Sequence, residues 1–196
     1  MIAYYLTHPQ VAVDPEIPVP DWSLSPAGRA RVEALRGKPW LASLRRIVSS
    51  RERKAIETAE LIGVATGVAV EVRPGMGEND RSSTGFIAPD RFEAAADAFF
   101  AEPDASWNGW ETARAAQARI VWAVETALDE QGAGYPVLFV GHGAVGTLLK
   151  CSLAGRKIAR REDQPGGGGN VFAFDVRTRR LLTDWISIDN YEGAAT

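Results

Sequence analysis

Pro136-Val137-Leu138-Phe139-Val140-Gly141-His142-Gly143 begins as a continuous apolar run and ends with a histidine set between two glycines. The run is too short for a helix, and the helix-like stretch Ala144 to Gly155 follows it directly. An apolar run of this length that passes at once into a helical pattern reads as a buried strand ending at a strand-to-helix junction. The amino terminus has the same form: Met1 to Leu6 (MIAYYL) runs into Thr7-His8-Pro9, where proline forbids simple continuation of the strand.

Working outward, residues 10 to 24 read as a Pro- and Asp-rich loop. Ser25-Pro26 then offers an N-cap followed by proline at the first helical position, and a helix through about Leu35 is expected, weakened by Gly28. Arg46-Ile47-Val48 reads as a second buried strand. After Ser49-Ser50, Ala55, Ile56, Ala59 and Ile62 recur at helical spacing. Val68 to Val72 alternates like a strand, and Pro74 to Pro89 is a long Gly-rich loop of the kind that more often carries function than structure. Helices are expected over Pro89 to Phe100 and Glu111 to Glu130, the second with Ile120, Val124 and Ala127 on one face. Asn170 to Ile188 reads as an edge hairpin turning through Arg177-Thr178-Arg179-Arg180, and Gly166 to Gly169 as a flexible surface loop. Strands alternating with helices predict a layered α/β domain with a mostly parallel sheet.

Composition narrows the function. At 196 residues and 45% hydrophobic content the chain is long enough for one sizeable core, and one domain is the default. A net charge of -3 gives no long-range attraction for polyanions, and the densest basic run, Arg156 to Arg161, is followed at once by Glu162 and Asp163, so no nucleic-acid partner is expected. The single cysteine, Cys151, excludes an internal disulfide framework and fits a reducing compartment. With no leader-like segment and no long apolar run, no membrane partner is expected and a cytoplasmic location is.

The chain has only two histidines, and both fall at the carboxyl ends of predicted strands. In open α/β sheets, ligands collect there, where loops and helix N-termini present backbone donors. Two imidazoles with no third His, Cys or carboxylate at ligand spacing make a poor metal site. They make a good oxyanion site, and a histidine can also be a covalent nucleophile if phosphoryl oxygens are neutralised and a proton donor stands near the leaving group. For each, the ordinary alternative is a hydrogen-bonded structural histidine. Trp107 and Trp110, before a predicted helix, fit either a cleft wall or plain core packing.

These motifs, in this order, resemble the histidine phosphatase superfamily, the phosphoglycerate mutase-like fold, over most of the chain. The family's first strand ends in Arg-His-Gly; here it ends in Thr7-His8-Pro9. The family's Trp-x-Leu-(Ser/Thr)-x-x-Gly segment is matched by Trp22 to Gly28. The block Ser-Ser-x-x-x-Arg-Ala-x-x-Thr-Ala aligns without a gap on Ser49 to Ala59, with Lys54 in place of the arginine. A strand followed by Gly-His-Gly is met at Val137 to Gly143. The resemblance implies a single three-layer α/β/α domain over residues 1-196 that acts without a cofactor or metal. It implies His8 as the nucleophile, His142 as a second phosphate-binding histidine, and Lys54 as a clamp that keeps the charge of arginine but loses its bidentate fork. Glu78, with Asp80 as the other candidate, falls in the interval of the family's general acid. Thr7 stands in a phosphate-clamp position, and Arg51 is a further candidate contact, its ordinary reading being a solvated surface cation.

The expected activity is therefore hydrolysis of a small phosphomonoester through phosphohistidine on His8, with inorganic phosphate or sulfate also filling the pocket. The competing expectation is a weakened relative that binds a phosphorylated ligand or partner, since Thr7, Pro9 and Lys54 depart from the clamp. Phosphoglycerate mutase activity is a third.

Overall fold

The computed structural model describes residues 1 to 130 and 134 to 194. The strands are β1 (Ile2–Thr7), β2 (Arg46–Ser49), β3 (Val70–Val72), β4 (Val137–Gly141), β5 (Asn170–Asp175) and β6 (Leu181–Ser187). They form one sheet in the order β3-β2-β4-β1-β5-β6. The first four are mutually parallel; β5 pairs antiparallel with β1, and β6 antiparallel with β5.

Helices cover both faces. The period-2 alternation of β1 sends Ala3 and Tyr5 to one side, where they pack with α4 (Pro89–Ala101), α5 (Ala113–Glu130) and α6 (Gly143–Leu153). Ile2, Tyr4 and Leu6 face the other side, against α1 (Pro26–Glu33), the short α2 (Pro39–Ala42) and α3 (Arg53–Thr66). Strand β4 divides in the same way, Val137 and Phe139 from Leu138 and Val140. The chain is thus a three-layer α/β/α domain with a mostly parallel sheet. Among the described residues, no helix is long and apolar enough to cross a membrane.

Most expected elements fall where the pattern places them. Ser25 Oγ accepts the Gly28 amide at 3.1 Å to cap α1. The glycine that seemed to weaken that helix has a tertiary reason, because a Cβ at Gly28 would stand 2.2 Å from the Gln10 carbonyl oxygen. Ile120, Val124 and Ala127 are the buried face of α5. The four-residue α2 was not legible in the sequence.

One expectation is corrected. Gly166 and Gly167 are exposed, but Gly168 and Gly169 are not part of a free surface loop. The Gly169 amide donates to the His8 carbonyl at 3.0 Å. Gly168 has φ +63°, and a Cβ there would lie 2.4 Å from the same oxygen. The glycines are needed for close backbone approach rather than for flexibility.

Candidate active site

The parallel strands bring their carboxyl ends to one edge of the sheet. Past the end of β1 the His8 amide donates to Gly141 O at 3.0 Å, and past the end of β2 the Ser50 amide donates to Val140 O at 3.0 Å. The two histidines are thereby held next to one another, with ring centroids 5.2 Å apart and ring planes at 68°. Tyr5 ties down His142: its hydroxyl accepts the His142 amide at 3.1 Å and faces the His142 carbonyl at 3.3 Å. That ring fits only because two neighbours lack a Cβ. One at Gly141 would come within 2.3 Å of the Tyr5 hydroxyl, and one at Gly146 within 2.4 Å of its ring.

The surroundings set the chemistry of each imidazole. His8 Nδ1 lies 2.8 Å from the Pro9 carbonyl oxygen. A carbonyl only accepts, so Nδ1 carries the proton and Nε2 keeps its lone pair. Burial disfavours the imidazolium and lowers the His8 pKa to about 4. His142 is wholly buried, and its pKa is pushed well below the ordinary value, again by burial first. Its Nε2 meets Ser50 Oγ at 2.8 Å, whereas Nδ1 is buried without a protein partner among the described residues.

His8 opens onto a cavity of about 430 Å³ that is shared by Lys54, Glu78, Arg81 and Gln164 and walled by Trp22, Phe86, Phe92 and Trp110. Trp110 serves both readings given to it, as a buried core residue and as a cavity wall, while Trp107 packs against the core cluster.

Glu78 sits on the N-terminus of α6, where its carboxylate accepts the amides of Val145 at 3.1 Å and Ala144 at 3.3 Å. Burial raises its pKa, helped by the Glu52 charge and opposed by Arg81 and by the amides of Val145 and Asn79. Asp80 lies apart: it is exposed, its Oδ1 accepts the Ser82 amide at 2.8 Å, and it lines the adjoining outer cavity rather than the one holding His8.

Lys54 reaches the pocket already engaged. The side chain is buried, and its ammonium donates to Glu52 Oε2 at 2.6 Å and to Val19 O at 2.8 Å. Glu52 Oε1 accepts the Glu78 amide at 2.8 Å and stands 3.4 Å from His142 Nε2. Burial alone would raise the Glu52 carboxyl, but His142 when charged, the Lys54 ammonium and the Glu78 amide outweigh it and bring its pKa down to about 2. An anion therefore already stands beside the Lys54 ammonium.

The structure thus brings His8, Glu78 and Lys54 to one cavity and holds His142 fully buried beside the His8 ring, and two expected contacts lie elsewhere. Thr7 is fully buried, and its hydroxyl is used up by Gln164 and Asn170. Arg51 is exposed at the outer cavity with Asp80 and does not line the cavity of His8. Three pocket residues were missed by the sequence reading. Arg81, packed over the rings of Phe92 and Trp110 at 5.1 and 5.5 Å, belongs to no motif. Glu52 occupies a variable position of the Ser-Ser block inside a charge run, and Gln164 precedes the glycine run; neither carries a local signal. Among the described residues, no group of three or more His, Cys, Asp or Glu side chains is arranged to hold a metal ion.

Comparison with solved structures gives the same fold. A mycobacterial glucosyl-3-phosphoglycerate phosphatase in complex with inorganic phosphate superposes with a TM-score of 0.78 at 22% identity, covering 97% of this chain and 99% of that one. YhfR of Bacillus stearothermophilus gives 0.79 at 21% identity, with 95% and 98% covered. A putative alpha-ribazole-5'-P phosphatase from Escherichia coli gives 0.70 at 18% identity, with 100% and 98% covered. No curated protein matches in sequence. The sequence model of the histidine phosphatase superfamily (branch 1) matches residues 15 to 183, most of the chain and all of the sheet except β1 and the end of β6. The chain belongs to the histidine phosphatase superfamily.

Proposed function

We propose that this chain hydrolyses a small phosphomonoester without a cofactor. The observation that carries the reading is the His8 ring: with Nδ1–H bound to the Pro9 carbonyl, Nε2 keeps a neutral lone pair on a residue that lines the same cavity as Glu78. In the first step, Nε2 attacks phosphorus, a P–N bond forms and the P–O bond to the leaving group breaks. Glu78, whose pKa burial has raised, gives its proton to the departing oxygen. In the second step a water attacks phosphorus, Glu78 takes its proton back, the P–N bond breaks and orthophosphate leaves. His142 Nδ1 and the Lys54 ammonium stabilise the equatorial oxygens.

One observation favours a second reading. Lys54 is neutralised by Glu52 before any ligand arrives, and Thr7 offers the cavity no donor, which suits a pocket that binds a phosphorylated ligand and turns it over slowly or not at all.

The two are separated by incubating the protein and a His8→Ala variant with an aryl phosphate from mildly acidic to neutral pH, and by titrating both with orthophosphate. Turnover by the parent, abolished in the variant, supports the hydrolase. Orthophosphate binding without turnover supports the binding protein. Equal turnover by both proteins would sink the phosphohistidine route.

A further inference from the structure

We propose that Gln164 supplies a phosphoryl-oxygen donor in this pocket, a neutral amide clamp held in position by Thr7 and Asn170. The inference rests on the phosphoryl-pocket reading above.

The orientation of the amide follows from a chain of hydrogen bonds whose last acceptor has no choice. Asn170 Nδ2 meets the Pro165 carbonyl oxygen at 3.0 Å, and a carbonyl can only accept, so that atom of Asn170 is its nitrogen. The same Nδ2 lies 3.0 Å from Gln164 Oε1, which must therefore be the oxygen. Thr7 confirms the direction independently. Its Oγ1 accepts the Asn170 amide at 2.9 Å, which leaves its own proton for Gln164 Oε1 at 2.7 Å, a shorter contact than the 3.3 Å to Asn170 O. Two donors thus converge on Oε1 and turn Nε2 the opposite way.

On that side lies the start of α6. A Cβ at Gly143 would stand only 2.2 Å from Gln164 Nε2, so glycine at this position leaves the space that the amide fills. Gln164 lines the same cavity as His8, Lys54 and Glu78. Among the described residues, its Nε2 makes no hydrogen bond, whereas its Oε1 makes two. The backbone beneath is anchored as well: Asp163 Oδ1 accepts both the Gln164 amide at 2.8 Å and the hydroxyl of Thr147, within α6, at 2.9 Å.

The chemistry suits an oxyanion. An N–H donated to a phosphoryl oxygen is a charge-assisted bond, and an already oriented amide loses little freedom in forming it. It also adds no charge to a cavity whose lysine is already paired with Glu52. Thr7 is then a positioning residue: it cannot reach the ligand itself, but it aims the group that does.

Orthophosphate is the probe, and affinity is read by calorimetry and by inhibition of aryl phosphate hydrolysis. Gln164→Leu, which keeps bulk and loses both donors, is expected to weaken orthophosphate binding roughly ten- to a hundredfold. Gln164→Glu, nearly the same shape, should weaken it further by charge repulsion, and thermal melts establish that both variants are folded. Thr7→Val should weaken binding about three- to tenfold in the parent and have no further effect in the Gln164→Leu background, a non-additivity that a merely structural threonine would not produce. If the parent binds orthophosphate and folded Gln164→Leu binds it equally well, the clamp is overturned while the phosphoryl pocket stands. If the parent itself neither binds orthophosphate nor hydrolyses aryl phosphate, the pocket reading fails and this inference with it.

Discussion

His8 and His142 stand at the ends of neighbouring parallel strands, each preceded by an apolar run, and their rings are 5.2 Å apart. Their surroundings nevertheless differ. His8 is half-buried, its Nδ1 proton is bound to the carbonyl of the next residue, and the residue lines the cavity with Nε2 left unprotonated. His142 is wholly buried, its Nε2 is taken by Ser50, and Nδ1 is the nitrogen left without a partner. The same kind of junction thus supplies a partly exposed imidazole at a cavity on one strand and a wholly enclosed one on the next. The difference lies in which ring nitrogen the neighbours occupy, and it agrees with the two roles proposed for them.

The comparison breaks most sharply at His8, where the alanine arm of the assay above is expected to erase turnover. His142→Ala removes a preorganised donor but leaves the nucleophile, so about a 10²-fold loss in kcat is expected, measured on an aryl phosphate. Equal losses at the two positions would mean that the histidines do not divide the work as their hydrogen bonds suggest.

A pH profile sharpens the contrast with the acid. His8 must be neutral to attack, and burial lowers its pKa to about 4, so kcat/KM should fall only as pH drops through that value. Glu78 must be protonated to release the leaving group, so the alkaline limb should follow a carboxyl displaced above the ordinary glutamate value. Glu78→Gln should remove the alkaline limb, and the deficit should be larger for alkyl than for aryl phosphates, whose leaving groups need less help. A limb unchanged in that variant would remove Glu78 from the acid role. Stability shifts in the same direction as the acid limb. The folded pKa of each histidine is below its unfolded value, so the stabilisation is present above about pH 6.5 and is lost as pH falls from there through about 4, where the unfolded chain takes up protons that the fold refuses. Urea midpoints measured across that window would register it.

The smallest effect concerns the backbone that carries His142. Tyr5→Phe leaves the buried His142 amide without its acceptor and is expected to cost about 1–3 kcal/mol in denaturant unfolding. Because the ring remains, orthophosphate affinity should change far less than it does at His142.

Much of this was legible in the chain order. The strand-ending histidines, the Ser25 cap, the helical spacing after Ser50 and the candidate acid in the Pro74 to Pro89 loop are local patterns, and the domain forms its elements where they predict. The pocket's detail was not local. Thr7 reads as a candidate phosphate contact because it sits beside His8, yet its hydroxyl is engaged by residues 157 and 163 positions away. Glu52 reads as one acid in a surface charge run until the fold buries it between Lys54 and His142.

Apolar periodicity and turn chemistry suffice for a layered α/β domain with a mostly parallel sheet and two histidines at its carboxyl edge, because strand and helix formation depend on neighbours in sequence. Which nitrogen of each imidazole carries the proton, which cation is already neutralised, and which end of the Gln164 amide is engaged were decided only on folding. Those properties depend on burial and on hydrogen-bond partners from distant segments: Pro9 beside His8, Ser50 beside His142, Glu52 beside Lys54, and Asn170 beside Gln164.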